Sequence, residues 1–90
     1  METQLKPGMP VKILPQKELM LVLDGRNFFT EKFRKDAAKK LGGTTGKVDD
    51  IDERYARDYF FYAPEWGGPT WSIPVEAVDE AETMKLNKTE

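Results

Sequence analysis

The stretch Tyr59-Phe60-Phe61-Tyr62-Ala63-Pro64-Glu65-Trp66-Gly67-Gly68-Pro69-Thr70-Trp71-Ser72-Ile73-Pro74 decides the fold. Tyr59 to Ala63 has the highest β-propensity in the chain, because aromatic side chains fit a pleated surface. Trp66-Gly67-Gly68-Pro69 supplies turn residues, and Thr70 to Ile73 is a second short strand that Pro74 ends, so the segment predicts a β-hairpin. Side chains alternate along a strand, which puts Tyr59 and Phe61 on one face and Phe60 and Tyr62 on the other. With both faces aromatic, either another segment covers one side or that side presents an aromatic patch to a partner.

Upstream, Thr44 to Ile51 predicts a strand in which the charged Asp49-Asp50 step marks a bulge or an early end. Lys6-Pro7-Gly8 is a turn that introduces a first strand, Val11-Lys12-Ile13-Leu14, stopped by Pro15. Five consecutive apolar residues, Leu19 to Leu23, are short for a helix and fit either a buried strand or an irregular cover for the core, the extended form being favoured over a helix. Thr30 is an N-cap for a helix from Glu31 to Leu41, with Lys39 and Lys40 in the last turn and Gly42 placed for a left-handed stop. On this helix Phe33, Ala37, Ala38 and Leu41 form an inward stripe, and the lysines look outward.

Downstream, Val75 to Val78 is short enough for a single 3₁₀ turn, Asp79 to Met84 is read as a segment that closes the sheet, and Lys85 to Glu90 as a frayed tail. Short strands at this spacing predict a mainly β domain of about five strands, a small antiparallel barrel. One domain spans residues 1–90, with an inserted helical segment at about 28–42.

The order Lys6-Pro7-Gly8, Gly46-Lys47-Val48, an aromatic strand, a Trp strand and Ile73-Pro74-Val75-Glu76-Ala77-Val78 resembles an SH3-like barrel, in which a Pro-initiated 3₁₀ turn precedes the last strand. The chain also resembles small uncharacterised proteins encoded by phages and prophages of Gram-positive bacteria. In those, a Phe-rich segment and a helix ending in Leu-Gly lead to a Gly-Lys-Val strand, then a Tyr-rich strand, a Gly-Gly turn and a Trp-Ser strand. Here these are Phe28 to Gly42, Gly46 to Ile51, Tyr59 to Tyr62, Gly67-Gly68 and Trp71-Ser72. The resemblance implies fold and origin and no biochemical activity. Val11 to Gln16 lacks the tyrosines of the first strand of peptide-binding SH3 domains, although Ile73-Pro74 sits where such domains place a ligand-lining proline.

Composition narrows the chemistry. The 90 residues contain no cysteine and no histidine, which removes thiol catalysis, thiolate metal sites, the usual nucleophile–base pairs and the preferred zinc ligands. The expectation is a protein that is not an enzyme and takes no cofactor or metal. Gly42-Gly43-Thr44-Thr45-Gly46-Lys47 fails the phosphate-loop pattern in spacing, in the residue after lysine and in its helix-to-strand context. Asp49, Asp50, Asp52 and Glu53 lack the spacing and central glycine of a calcium loop and are read as a solvated acidic turn. No apolar run reaches the roughly 20 residues needed to cross a bilayer, and Met1 to Met9 lacks an apolar signal core, so a cytoplasmic protein is expected, in the host cell if phage-encoded.

Net charge is −2, but residues 31–40 carry five basic groups against two acidic, and residues 49–58 carry five acidic against two basic. Three functional expectations follow. The first is a protein-interaction module that binds a protein partner through Tyr59, Tyr62, Trp66, Trp71 and Pro74, with Glu65 and Pro69 at the rim. The second is a nucleic-acid-binding small barrel using Lys32, Arg34, Lys35, Lys39 and Lys40 against phosphates. The third is an acidic inhibitor of a host defence system that occupies a basic site through Asp49, Asp50 and Asp52.

Overall fold

Hairpin and strand signals produce a meander. In the structure, a computed structural model that describes residues 5–25, 30–52 and 58–87, β1 (Pro10–Lys12), β2 (Thr45–Asp52), β3 (Tyr59–Pro64) and β4 (Trp71–Pro74) form one antiparallel sheet in the order β1-β2-β3-β4. The β3–β4 register sets Tyr62 opposite Trp71 and Phe60 opposite Ile73. The β2–β3 register slips between Val48 and Asp50, a bulge at Asp49 where the charged step interrupts the apolar alternation.

Three α-helices accompany the sheet: α1 (Gln16–Asp24), α2 (Glu31–Leu41) and α3 (Glu80–Leu86). About 41% of the described residues are helical and 31% are strand, so the expected mainly β class is corrected to a mixed one. The five-strand barrel is corrected as well. The 3₁₀ turn expected at Val75 to Val78 is present as Val75–Ala77, followed by a single bridge between Ile13 and Val78, but the segment expected to close the sheet, Asp79 to Met84, leads into α3. The sheet has four strands and does not close among the described residues.

Two of these helices overturn extended readings. Residues 19–23 lie in α1, whose first hydrogen bond runs from the Leu19 N–H to the Pro15 carbonyl. Leu19 and Leu23, four apart, are fully buried, while Leu21 is 67% exposed. A strand would have placed all three on one face. Lys, Glu, Leu and Met favour the helix, and its Leu19/Leu23 stripe reaches the core without a neighbouring strand. Asp79 to Met84 does not close the sheet as a strand. Asp79 caps α3 by accepting the Glu82 N–H, and the helix docks on the outer edge of β1.

That docking satisfies the edge. The Lys12 N–H donates to the Thr83 hydroxyl at 3.0 Å, Asn87 Nδ2 donates to the Pro10 carbonyl at 2.8 Å, and the Asp79 N–H donates to the Lys12 carbonyl. An unpaired strand edge is an aggregation template, and α3 covers this one. The tail expected to fray at 85–90 therefore starts as helix, with Lys85 and Leu86 inside α3 and Asn87 anchored; residues 88–90 lie outside the described residues.

The insertion between β1 and β2 holds two helices where one was expected. Helix α2 matches its expected bounds, with the Thr30 hydroxyl accepting the Phe33 N–H, and Ala37, Ala38 and Leu41 buried. Phe28, the expected start of the segment, lies outside the described residues. Gly42 is not left-handed; that conformation belongs to Gly43 at φ 73°. Gly42 serves close approach instead, since a Cβ there would stand 2.5 Å from Gln16 Cα and 2.7 Å from the Ala38 carbonyl oxygen. The start of α1 thus crosses the end of α2 at a point that admits no side chain. The core joins Leu19 and Leu23 of α1, Ala37 and Leu41 of α2, and Val11, Val48, Phe60, Tyr62 and Ile73 of the sheet.

Candidate interaction surface

The aromatic hairpin divides between core and surface. Tyr62 is fully buried, its ring edge-on to Phe60 with centroids 6.3 Å apart. Its hydroxyl lies 2.8 Å from the Thr44 hydroxyl, which itself donates to the Leu41 carbonyl at 2.7 Å, so the phenol O–H donates to Thr44. Burial pushes the Tyr62 phenol above its ordinary pKa. Tyr59 and Pro74, neighbours in the β3–β4 register, are also buried. Trp71 is half-buried because Phe33 of α2 packs on it, ring centroids 5.8 Å apart. The cover that the two-sided aromatic strand demanded is thus supplied in part by α2.

Of the five expected contact residues, only Trp66 is exposed, at 55%. It stands on the β3–β4 turn, where Gly67 and Gly68 adopt φ 92° and 90°, values that side chains other than glycine disfavour. The structure does not gather Tyr59, Tyr62, Trp71 and Pro74 around it as a surface.

What it places beside the turn is a groove of about 480 Å³ on the outer side of the sheet, bordered by Pro10, Lys47, Ala63, Pro64, Glu65 and Leu86. The β1–β2–β3 pairing sets Pro10 opposite Lys47 and Lys47 opposite Ala63, so these form one cross-strand row. Leu86 of α3 is 43% exposed, and Met84 on the same helix is 55% exposed. Lys47 and Glu65 are exposed and make no ion pair among the described residues. Sequence reasoning placed Glu65 at a rim but missed the groove, because it read the chain after Asp79 as a strand and so had no helix to carry Leu86.

The basic helix is partly self-neutralised. Lys35 pairs with Glu31 at 3.0 Å, Lys32 with Asp36 at 3.1 Å, and Arg34 with Asp24 at the end of α1 at 3.0 Å. The Lys35 ammonium holds the exposed Glu31 carboxyl below its ordinary pKa. Lys39 and Lys40 are exposed without an ion pair among the described residues.

The acidic run separates too. Asp49 and Asp50 are exposed, Asp50 accepts its neighbour Ile51 N–H, and Asp52 is buried and accepts the Ser72 hydroxyl at 3.0 Å. Glu53 lies outside the described residues. Among the described residues no group of three acidic side chains is arranged to hold a metal ion, and no helix is long and apolar enough to cross a membrane.

A comparison with known proteins finds no matching family, no matching curated protein and no matching solved structure. The site therefore rests on its own geometry.

Proposed function

We propose that the chain is a non-catalytic protein-interaction module whose contact surface is the Trp66 turn together with the groove beside it. The observation that carries this reading is the pairing of an exposed indole with an apolar groove bordered by Pro10, Ala63, Pro64 and Leu86. Tryptophan is the side chain most enriched among residues that dominate binding energy, and an apolar groove with a few charges at its edge is the surface it complements. The origin that goes with this reading is phage or prophage, by the sequence resemblance.

The nucleic-acid reading has less support, because three of the five basic side chains named for it already face carboxylates. The acidic-inhibitor reading loses Asp52, whose carboxylate is buried beneath Ser72.

A benzophenone amino acid placed at position 66 tests the proposal in cells of the natural host. Irradiation is expected to give a discrete polypeptide adduct from position 66 and none from position 21, a more exposed apolar site on α1. Equal labelling from both positions, or none from 66, overturns it.

A further inference from the structure

We propose that the occupant of the groove is Trp66 of a second copy of this chain, in a two-fold symmetric homodimer. The inference rests on the reading of the Trp66 turn as a contact surface and names the partner.

The first argument is geometric. Trp66 follows Pro64 and Glu65, two of the residues that border the groove, so a projecting indole and the depression that can receive one lie on a single surface. A two-fold contact requires such a patch: each copy offers the same knob to the same socket, and the contact closes after two. Leu86, a large exposed apolar side chain of α3, borders the groove on the side that α3 forms.

The second argument is charge. The groove carries one cation, Lys47, and one anion, Glu65, both exposed and neither ion-paired among the described residues. A two-fold axis exchanges the rims, bringing Lys47 of each copy toward Glu65 of the other and forming the same pair twice. A partner surface of a single charge sign would face one of these groups with its own sign, which costs affinity and specificity. Opposite unpaired charges on one patch are the electrostatic signature of self-complementarity.

The third consideration is that the core does not depend on the side chains of Trp66, Lys47 and Glu65. Trp66 sits on a turn, and Lys47 and Glu65 are exposed. Substituting them leaves the core intact, so assembly can be read apart from folding.

Sedimentation equilibrium of the full chain, over about 5 to 500 μM at low salt, reads the association. Dimer is expected, with Trp66→Ala weakening it at least about a hundredfold. Lys47→Glu and Glu65→Lys alone are each expected to weaken it about tenfold, and the double exchange K47E/E65K to return it to within about threefold of the natural chain. A monomer across the whole range overturns the proposal, as does a double exchange no better than either single variant. The photo-crosslink at position 66 separates this failure from failure of the surface itself. An adduct of twice the chain's mass supports the homodimer. An adduct only with a different polypeptide overturns the homodimer and keeps the contact surface, and no adduct overturns both.

Discussion

The Tyr62 hydroxyl donates to the Thr44 hydroxyl across 2.8 Å, and the Thr44 hydroxyl in turn donates to the Leu41 carbonyl at 2.7 Å. The Leu41 carbonyl has no partner within the helix and also accepts the Thr44 N–H at 3.0 Å, so the relay ties a buried residue of the sheet to the end of α2. The relay explains why a tyrosine stands where the core would otherwise take phenylalanine. It also fixes the junction of α2 with β2, three residues after Leu41.

Removing the relay should cost stability without changing the fold. Tyr62→Phe deletes one hydrogen bond and is expected to cost about 1 kcal/mol, whereas Thr44→Val leaves a buried phenol unpaired and is expected to cost about 1–3 kcal/mol. Urea unfolding of the two single variants and the double variant measures the coupling, which should exceed about 0.5 kcal/mol. Strict additivity would show that the relay does not act as a unit.

The same group gives a pH dependence of known sign. Because burial raises the Tyr62 pKa above the ordinary 10.0, the folded state holds this proton more tightly than the unfolded state. Its contribution is complete below pH 10 and declines as pH rises through the unfolded and then the folded pKa, since only the unfolded chain can ionise readily there. The difference in urea midpoint between the natural chain and Tyr62→Phe should be constant from pH 7 to 9 and shrink above 10.

Helix α1 is tested by three leucines. Leu19→Ala and Leu23→Ala remove fully buried side chains and are expected to cost about 2–5 kcal/mol each, whereas Leu21→Ala, 67% exposed, should change stability by less than about 0.5 kcal/mol. Equal losses at 19, 21 and 23 would restore the extended reading.

Glycine 46 is fixed by proximity. A Cβ there would overlap the Ala63 carbonyl oxygen and lie 2.8 Å from the Tyr62 ring, so Gly46→Ala should lower stability by at least about 2 kcal/mol. Gly43→Ala meets no atom within 4 Å but retains φ 73°, and should cost about 1–2 kcal/mol from backbone strain alone. Thermal unfolding ranks the two.

The seal on the β1 edge depends on Thr83. Thr83→Val keeps the shape, orphans the Lys12 N–H and is expected to cost about 1–3 kcal/mol. Amide hydrogen exchange should show loss of protection at Lys12 that exceeds the global change.

Several elements were legible in the chain because their signals are local. The Thr30 cap, the Lys39-Lys40 end and the 3.6-residue stripe gave α2 at its observed bounds. Aromatic β-propensity and the Gly67-Gly68 turn gave the β3–β4 hairpin, and the Asp49-Asp50 step gave the bulge. Leu19 to Leu23 was not legible, since five consecutive apolar residues carry no period, and only burial of 19 and 23 against α2 and the sheet distinguishes helix from strand. Met84 and Leu86 became surface residues only because α3 turns its Thr83 face to β1.

The candidate surface divides along the same line. Absent histidine and cysteine, the aromatic hairpin and the tryptophan on its turn were determined by the sequence itself, because composition and turn chemistry do not depend on distant residues. Which aromatics reach solvent was decided by tertiary structure alone. Alternation assigns a face to each side chain, but whether that face is core or surface depends on what packs over it, and the cover comes from helices 20 or more residues away in the chain. Tyr62 is therefore a core residue and Trp66 a surface one, although the sequence presented both as members of one aromatic hairpin.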